Sequence, residues 1–175
     1  GITKFVKVAY AGPLLKKEVT AIDSVVKNKR EPVTCIIGGS KISTKITVIS
    51  NLIKSASNII IVGAMANNII KYMGNNIGKS LYEENTNSII EEIFSLSKKE
   101  NCKIIYPEDV VVAKDLNGSP INKESNQVMA DEMILDIGPK TIEKINQAIN
   151  SSKTILWNGP AGYFENPNFA NGSNK

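Results

Sequence analysis

Short unbroken runs of Val and Ile punctuate the chain: Val33–Ile37 (VTCII), Asn58–Val62 (NIIIV), Cys102–Tyr106 (CKIIY), Asp109–Ala113 (DVVVA), Glu132–Gly138 (EMILDIG) and Lys153–Trp157 (KTILW). Runs of this length without polar–apolar alternation read as strands covered on both faces. Between them lie segments with helical spacing. Gly12-Pro13 opens a helix running to Asn28, with Leu14, Leu15, Val19, Ile22, Val25 and Val26 on its apolar stripe. Lys41–Ala56, Met65–Met73, Thr86–Glu100 and Pro139–Ser152 follow the same rule. Lys114–Gln127 (KDLNGSPINKESNQ) reads as a polar loop and Asn158–Phe169 as a turn-rich segment. The alternation predicts an α/β fold: a doubly wound, Rossmann-like parallel sheet with helices on both faces, in three α/β/α layers.

Ligands of such sheets bind beyond the carboxyl ends of the strands. Attention therefore falls on the residues after each run, Gly38–Lys45, Gly63–Ala66 and Trp157–Glu165. The 175 residues suffice for one domain, and the first ten read as a connector. The chain stops at FANGSNK, just after a strand and its loop, where a doubly wound sheet usually continues; a piece of something longer is expected.

Composition narrows the chemistry. With 42% hydrophobic and 22% charged residues the chain is of ordinary globular type. A formal charge of +4 suits an anionic small molecule, while the lack of a long Lys/Arg run argues against nucleic acid. No apolar stretch is long enough for a bilayer span and the start lacks a signal-peptide core, so a cytoplasmic setting is expected and no membrane partner. Cys35 and Cys102 have no C-x-x-C spacing and read as reduced, buried small hydrophobes. The absence of histidine removes Ser–His and Cys–His catalysis and His-based zinc sites. Lys, Asp, Glu, Asn, backbone amides or a bound metal–nucleotide must do the work.

Three stretches carry candidate chemistry. In GGSKISTK, Gly38 and Gly39 let a ligand approach the backbone, Ser40 reads as an N-cap, and Lys41 and Lys45 fall on one helical face. A helix N-terminus is the wrong end for cations unless an anion such as phosphate lies between. The plain alternative is a strand–helix turn with solvated lysines, at a mismatch of about 0.3–1 kcal/mol each. The stretch fits neither G-x-x-x-x-G-K-[ST] nor G-x-G-x-x-G. In WNGPAGYFE a rigid Gly/Pro turn aims Asn158 and Glu165 at the crevice, where an amide and a carboxylate suit phosphate and sugar groups; a surface loop closed by a Glu is the alternative. In VGAMAN, Gly63 suits a flat ring against backbone or an ordinary turn. LDIGPKT, with Pro139 at a helix start, reads as structural, and the N-G-S triplets at Asn117 and Asn171 matter only in a secreted chain.

Together these segments resemble phosphoglycerate kinase. AGPLLKKE, GGSKISTK, GKSLYE, DVVVA, LDIGPKT and WNGPAGYFENPNF stand in the order and approximate spacing of that family's C-terminal, nucleotide-binding lobe, over essentially the whole chain. The resemblance implies reversible phosphoryl transfer between 1,3-bisphosphoglycerate and ADP, giving 3-phosphoglycerate and ATP in glycolysis. It makes residues 1–12 a connector from an N-terminal lobe and 13–175 the nucleotide-binding lobe, truncated at its C-terminal end. It assigns Lys45 to nucleotide phosphates and Lys41, the catalytic lysine, to the transferring group. Asn158 goes to phosphates and ribose, Glu165 to ribose hydroxyls, and Gly38, Gly39 and Gly63 to the cleft. Mg2+ would arrive with ADP or ATP, with no matched protein ligand in this chain. The family usually has a glycine triplet where Val62, Gly63 and Ala64 stand, so the adenine wall is carried over only at Gly63; Thr3 stands where glycine is common, and nothing is carried over there. The Arg/His cluster that grips phosphoglycerate belongs upstream, and a G-G-G-D loop belongs downstream. The expectation is a chain that binds ADP or ATP weakly without turning over, and a monomer when complete. A stand-alone nucleotide-binding module is the alternative; the missing third glycine speaks against a dehydrogenase domain.

Overall fold

The computed structural model describes residues 1–27 and 29–174, and the chain divides into two units, 1–30 and 31–175. The first unit holds a 3-10 turn, Ile2–Phe5, and helix α1, Pro13–Lys27. Proline suits the opening position, where a missing N–H loses no intrahelical partner. On α1, Leu14, Leu15 and Val19 are exposed. Asn28, expected to end this helix, and the side chains of Ile22, Val25 and Val26 lie outside the described residues.

The second unit runs β1 (Val33–Ile37), α2 (Ile46–Ile53), β2 (Asn58–Ile61), α3 (Ala64–Tyr72), α4 (Asn87–Lys99), β3 (Lys103–Ile105), β4 (Asp109–Ala113), β5 (Ile121–Glu124), β6 (Met133–Ile137), α5 (Pro139–Asn150), β7 (Thr154–Asn158) and the short α6 (Asn171–Asn174). Four strands form a parallel sheet in the order β3-β2-β1-β7. One face presents Cys35, Ile37, Ile59 and Ile61 to Ile49 and Ile53 of α2, Met65 and Ile69 of α3, and Ile90 and Ile93 of α4. The other presents Ile36, Ile60 and Ile105 to Ile142, Ile145 and Ile149 of α5. Each fully buried isoleucine contributes roughly 1.5–3 kcal/mol, which explains why the central strands are unbroken apolar runs. Both cysteines are buried and outside any disulfide, and burial, with the neighbouring Cys35 adding to it, pushes the Cys102 thiol up to about 11. Such a thiol is an inert core residue.

The strand expectation needs one correction. β4 and β6 do not join the parallel sheet; they pair antiparallel around β4 in a second sheet of order β5-β4-β6. β4 is buried along its whole length, so its apolar run looks like a parallel strand's. Part of the expected polar loop is also a strand. β5 is an edge strand whose polarity hid it, and its Lys123 forms an ion pair with the buried Glu132 at 2.7 and 2.9 Å.

In the parallel sheet β1 continues to β2 on one side and meets β7 on the other, so the strand order reverses between β1 and β7. The register Ile37↔Asn158 brings Gly38 and Gly159 together at that switch point, where doubly wound sheets open their ligand crevice.

Candidate functional site

The carboxyl ends of β1, β2 and β7 are knitted by backbone bonds. The Gly38 N–H donates to Asn158 O at 2.8 Å, the Val62 N–H to Ile37 O at 3.0 Å, the Gly63 N–H to Ala161 O at 3.0 Å and the Met65 N–H to Gly39 O at 2.9 Å. Gly63 adopts φ +70°, and a Cβ there would stand 2.9 Å from Gly39 N. Only glycine satisfies both the turn and the approach.

The predicted helix start is displaced. α2 begins at Ile46 with Lys45 as its N-cap residue, and Ser40 caps nothing. Ile42 is fully buried and draws residues 42–45 into a turn closed by Lys45 N–H to Ile42 O at 3.0 Å. Lys41 and Lys45 therefore do not share a helical face; Lys45 alone stands at the helix N-terminus, with its ammonium held by oxygens outside the helix. Lys45 reaches back over Gly39: its ammonium donates to Gly38 O at 2.9 Å and to Asn158 Oδ1. Gly38, Lys45 and Asn158 thus meet directly.

Beside them lies a cavity of about 510 Å³, walled by Gly39, Gly63 and Glu165 on the parallel-sheet side and by Leu135 and Asp136 of β6. That volume suits a small organic ligand, since such sites run to several hundred Å³. Of the seven candidate residues, Gly39, Gly63 and Glu165 line this cavity, while Gly38, Lys45 and Asn158 meet beside it at the strand ends. Lys41 is exposed and joins neither; its backbone oxygen accepts from Thr44 Oγ1 at 2.9 Å, and its charge acts on the Glu83 carboxylate.

Two residues escaped the sequence reading, one in the cavity wall and one bonded to the 41–45 turn. Asp136 belongs to LDIGPKT, taken as structural, yet it lines the cavity. It is buried, and its oxygens accept the Ile137 and Gly172 N–H groups, each at 2.9 Å. A carboxylate within an apolar run is itself a signal, because its burial requires partners. The second is Glu83, which accepts the Ser43 N–H at 3.0 Å. Forty residues separate that pair, and no local pattern announces it.

Burial pushes the Asp136 carboxyl above its ordinary value of 3.8, against the pull of N–H groups from Gly172, Ile137 and Asn171. A raised folded pKa means the folded state holds its proton longer than the unfolded chain. The stability so gained is fully present below the ordinary value and is lost as pH rises through the folded one. The stability difference between Asp136→Asn and the wild type should therefore move in the variant's favour as pH rises from about 4. Urea melts of both proteins at several pH values measure it, and a constant difference would refute it.

An open crevice at the carboxyl ends of parallel strands, where their order reverses, places the chain in the doubly wound class of small-ligand-binding domains. Comparison narrows the class: a family model described as Phosphoglycerate kinase matches residues 1–175, and the chain belongs to that family. It is 43% identical over 175 residues to a phosphoglycerate kinase of Francisella tularensis subsp. novicida, covering 99% of this chain and 45% of that protein. Identity to the Francisella philomiragia phosphoglycerate kinase is 45%, with the same coverage. The solved phosphoglycerate kinase from Coxiella burnetii superimposes with a TM-score of 0.87 at 35% identity, over 98% of this chain and 45% of that one. The chain thus spans about half the length of the relatives it matches.

Proposed function

We propose that this chain holds ADP or ATP within a phosphoglycerate kinase, which reversibly transfers a phosphoryl group between 1,3-bisphosphoglycerate and ADP to give 3-phosphoglycerate and ATP. The observation that carries the reading is the Lys45 ammonium, anchored by Gly38 O and Asn158 Oδ1 beside a cavity that Gly39, Gly63 and Glu165 help to wall. In the proposal Lys45 and Asn158 take the nucleotide phosphates, with Asn158 also reaching the ribose. Glu165 accepts from the ribose hydroxyls, and the bare backbone at Gly38, Gly39 and Gly63 admits the ligand closely. Lys41, exposed and without a fixed side-chain anchor, faces the phosphoryl group in transfer. In phosphoryl transfer the protein contributes positioning and charge stabilisation rather than covalent chemistry.

Among the described residues no cluster of three or more His, Cys, Asp or Glu is arranged to hold a metal. Mg2+ enters as the ion carried by the nucleotide phosphates, where it neutralises charge and keeps several waters. No residue here is assigned to the phosphoglycerate, and turnover is proposed for the whole-length, monomeric enzyme in the cytoplasm, not for this chain alone. No helix among the described residues is long and apolar enough to cross a membrane.

Calorimetry with MgADP tests the reading: the chain should bind it, and failure to bind at millimolar nucleotide would overturn it. Glu165→Ala should weaken binding about threefold, the loss of an exposed hydrogen bond. In the whole-length enzyme, Lys41→Ala should lower kcat more than it raises KM, since a group serving only the transition state leaves binding intact. If KM alone moved, Lys41 would be a ground-state ligand.

A further inference from the structure

The turn that carries the two lysines is held from outside. Ser43 stands midway between Lys41 and Lys45, and Glu83 grips it with both carboxylate oxygens, one accepting the Ser43 N–H at 3.0 Å and the other its hydroxyl at 2.5 Å. Glu83 is in turn fixed through its own backbone. The buried Asn68 of α3 donates from Nδ2 to Glu83 O at 2.6 Å and accepts the Glu83 N–H at 3.3 Å. The same Nδ2 reaches Thr86 Oγ1 at 2.9 Å, and Thr86 is the N-cap residue of α4. A continuous polar relay thus runs from two packed helices, through Asn68 and Glu83, to the middle of the lysine turn. The bonds from Ser43, with the charge of Lys41 contributing less, hold the Glu83 carboxyl below the ordinary glutamate range, so it is ionised at neutral pH.

We infer that Glu83 is a positioning residue for the nucleotide phosphates, fixing the 41–45 turn so that Lys45 stays on Gly38 O and Asn158 before the ligand arrives. The inference rests on the nucleotide reading above and deepens it. Its electrostatics work against a simpler role: a carboxylate near the lysines repels an incoming phosphate, so charge alone would make Glu83 a liability. Its contribution is preorganisation, which lowers the ordering cost of binding. A mechanical role and a charge role therefore differ in sign.

The test compares ADP with adenosine, which shares the base and ribose but lacks the phosphates. Glu83→Ala should weaken MgADP about fivefold, the scale of a lost hydrogen-bonded clamp, and leave adenosine unchanged. Glu83→Gln, which keeps one acceptor oxygen for the Ser43 amide, should recover most of the loss. Should Glu83→Ala fail to fold, Ser43→Ala removes one of the two bonds and should weaken ADP about twofold with adenosine again unchanged. Equal losses for ADP and adenosine would reduce Glu83 to general structural support and overturn the inference. So would tighter ADP binding by Glu83→Ala, the signature of charge repulsion alone. If the unmodified chain bound no ADP, the nucleotide reading itself would fail before any variant was compared, and this inference with it.

Discussion

Lys45→Ala should bind MgADP at least tenfold more weakly than the wild-type chain, a larger loss than Glu165→Ala gives. An ammonium offers three donors, and two of those on Lys45 have partners in the structure, Gly38 O and Asn158 Oδ1. Those two bonds hold the charge at the strand ends and leave a donor for an incoming phosphate oxygen. Hydrogen bonds to charged groups contribute about 1.5–3 kcal/mol, and tenfold in affinity corresponds to about 1.4 kcal/mol, so tenfold is the lower bound. The alanine variant loses a second thing. The Lys45 side chain passes about 3.5 Å from the place a Gly39 Cβ would take, so its stem fills space beside the cleft. Lys45→Met separates the two effects, because it keeps the stem and removes only the charge. If the charge matters, Lys45→Met and Lys45→Ala both lose tenfold or more by calorimetry. Wild-type affinity in both would remove the lysine–phosphate argument.

What the sequence disclosed about this site follows from how local each interaction is. The central parallel strands β1 and β2 were legible because burial on both faces forces unbroken apolar runs such as NIIIV, and Ile59, Ile60 and Ile61 are all fully buried; β7 is apolar in sequence, yet Ile155 and Trp157 are exposed. The glycines at Gly38 and Gly63 were legible because a turn that lets three strand ends interlock leaves no room for a Cβ, and Gly39 because its φ of +142° disfavours a side chain. The antiparallel pairing of β4 with β6 was not legible, since DVVVA carries no mark of its partners' direction. β5 was missed because an edge strand satisfies only one neighbour and tolerates polar residues like Asn122 and Lys123. The start of α2 was misjudged because Ser40 is a good cap by type, while the buried Ile42 sets the actual geometry through tertiary contacts. That error mattered chemically. It created an apparent conflict between two lysines and a helix dipole, where the fold provides a lysine held by two oxygens and a second lysine left in solvent. Glu83 was not legible because its partner Ser43 lies forty residues away and only the folded chain brings them together.

Gly38→Ala should damage fold and site together. Gly38 needs no unusual backbone angle; the constraint is space. A Cβ on Gly38 would stand 2.2 Å from Pro160 O and 2.9 Å from Gly159 C and O, all backbone atoms of the loop after β7. Those atoms cannot swing aside as a side-chain tip would. Gly159 answers from the other side at φ +88°, where its own Cβ would come within 2.5 Å of Gly38 O. Accommodating the methyl means prising β1 from the β7 loop, at the cost typical of overpacking, about 1–3 kcal/mol. The same displacement moves Gly38 O and Asn158, the two anchors of Lys45, so ADP affinity should fall at least tenfold with the charge still present, as expected when preorganisation is lost. Gly74→Ala makes the control. Unlike Gly38 it has positive φ, +86°, and nothing lies within 4 Å of its Cβ position. It should cost about 1–2 kcal/mol of backbone strain and leave ADP binding unchanged. Urea melts and calorimetry on the two variants give four numbers. Equal destabilisation with equal affinity would mean that crowding at Gly38 does not reach the lysine; a selective loss of ADP by Gly38→Ala ties the lysine to the interlocked strand ends that hold it.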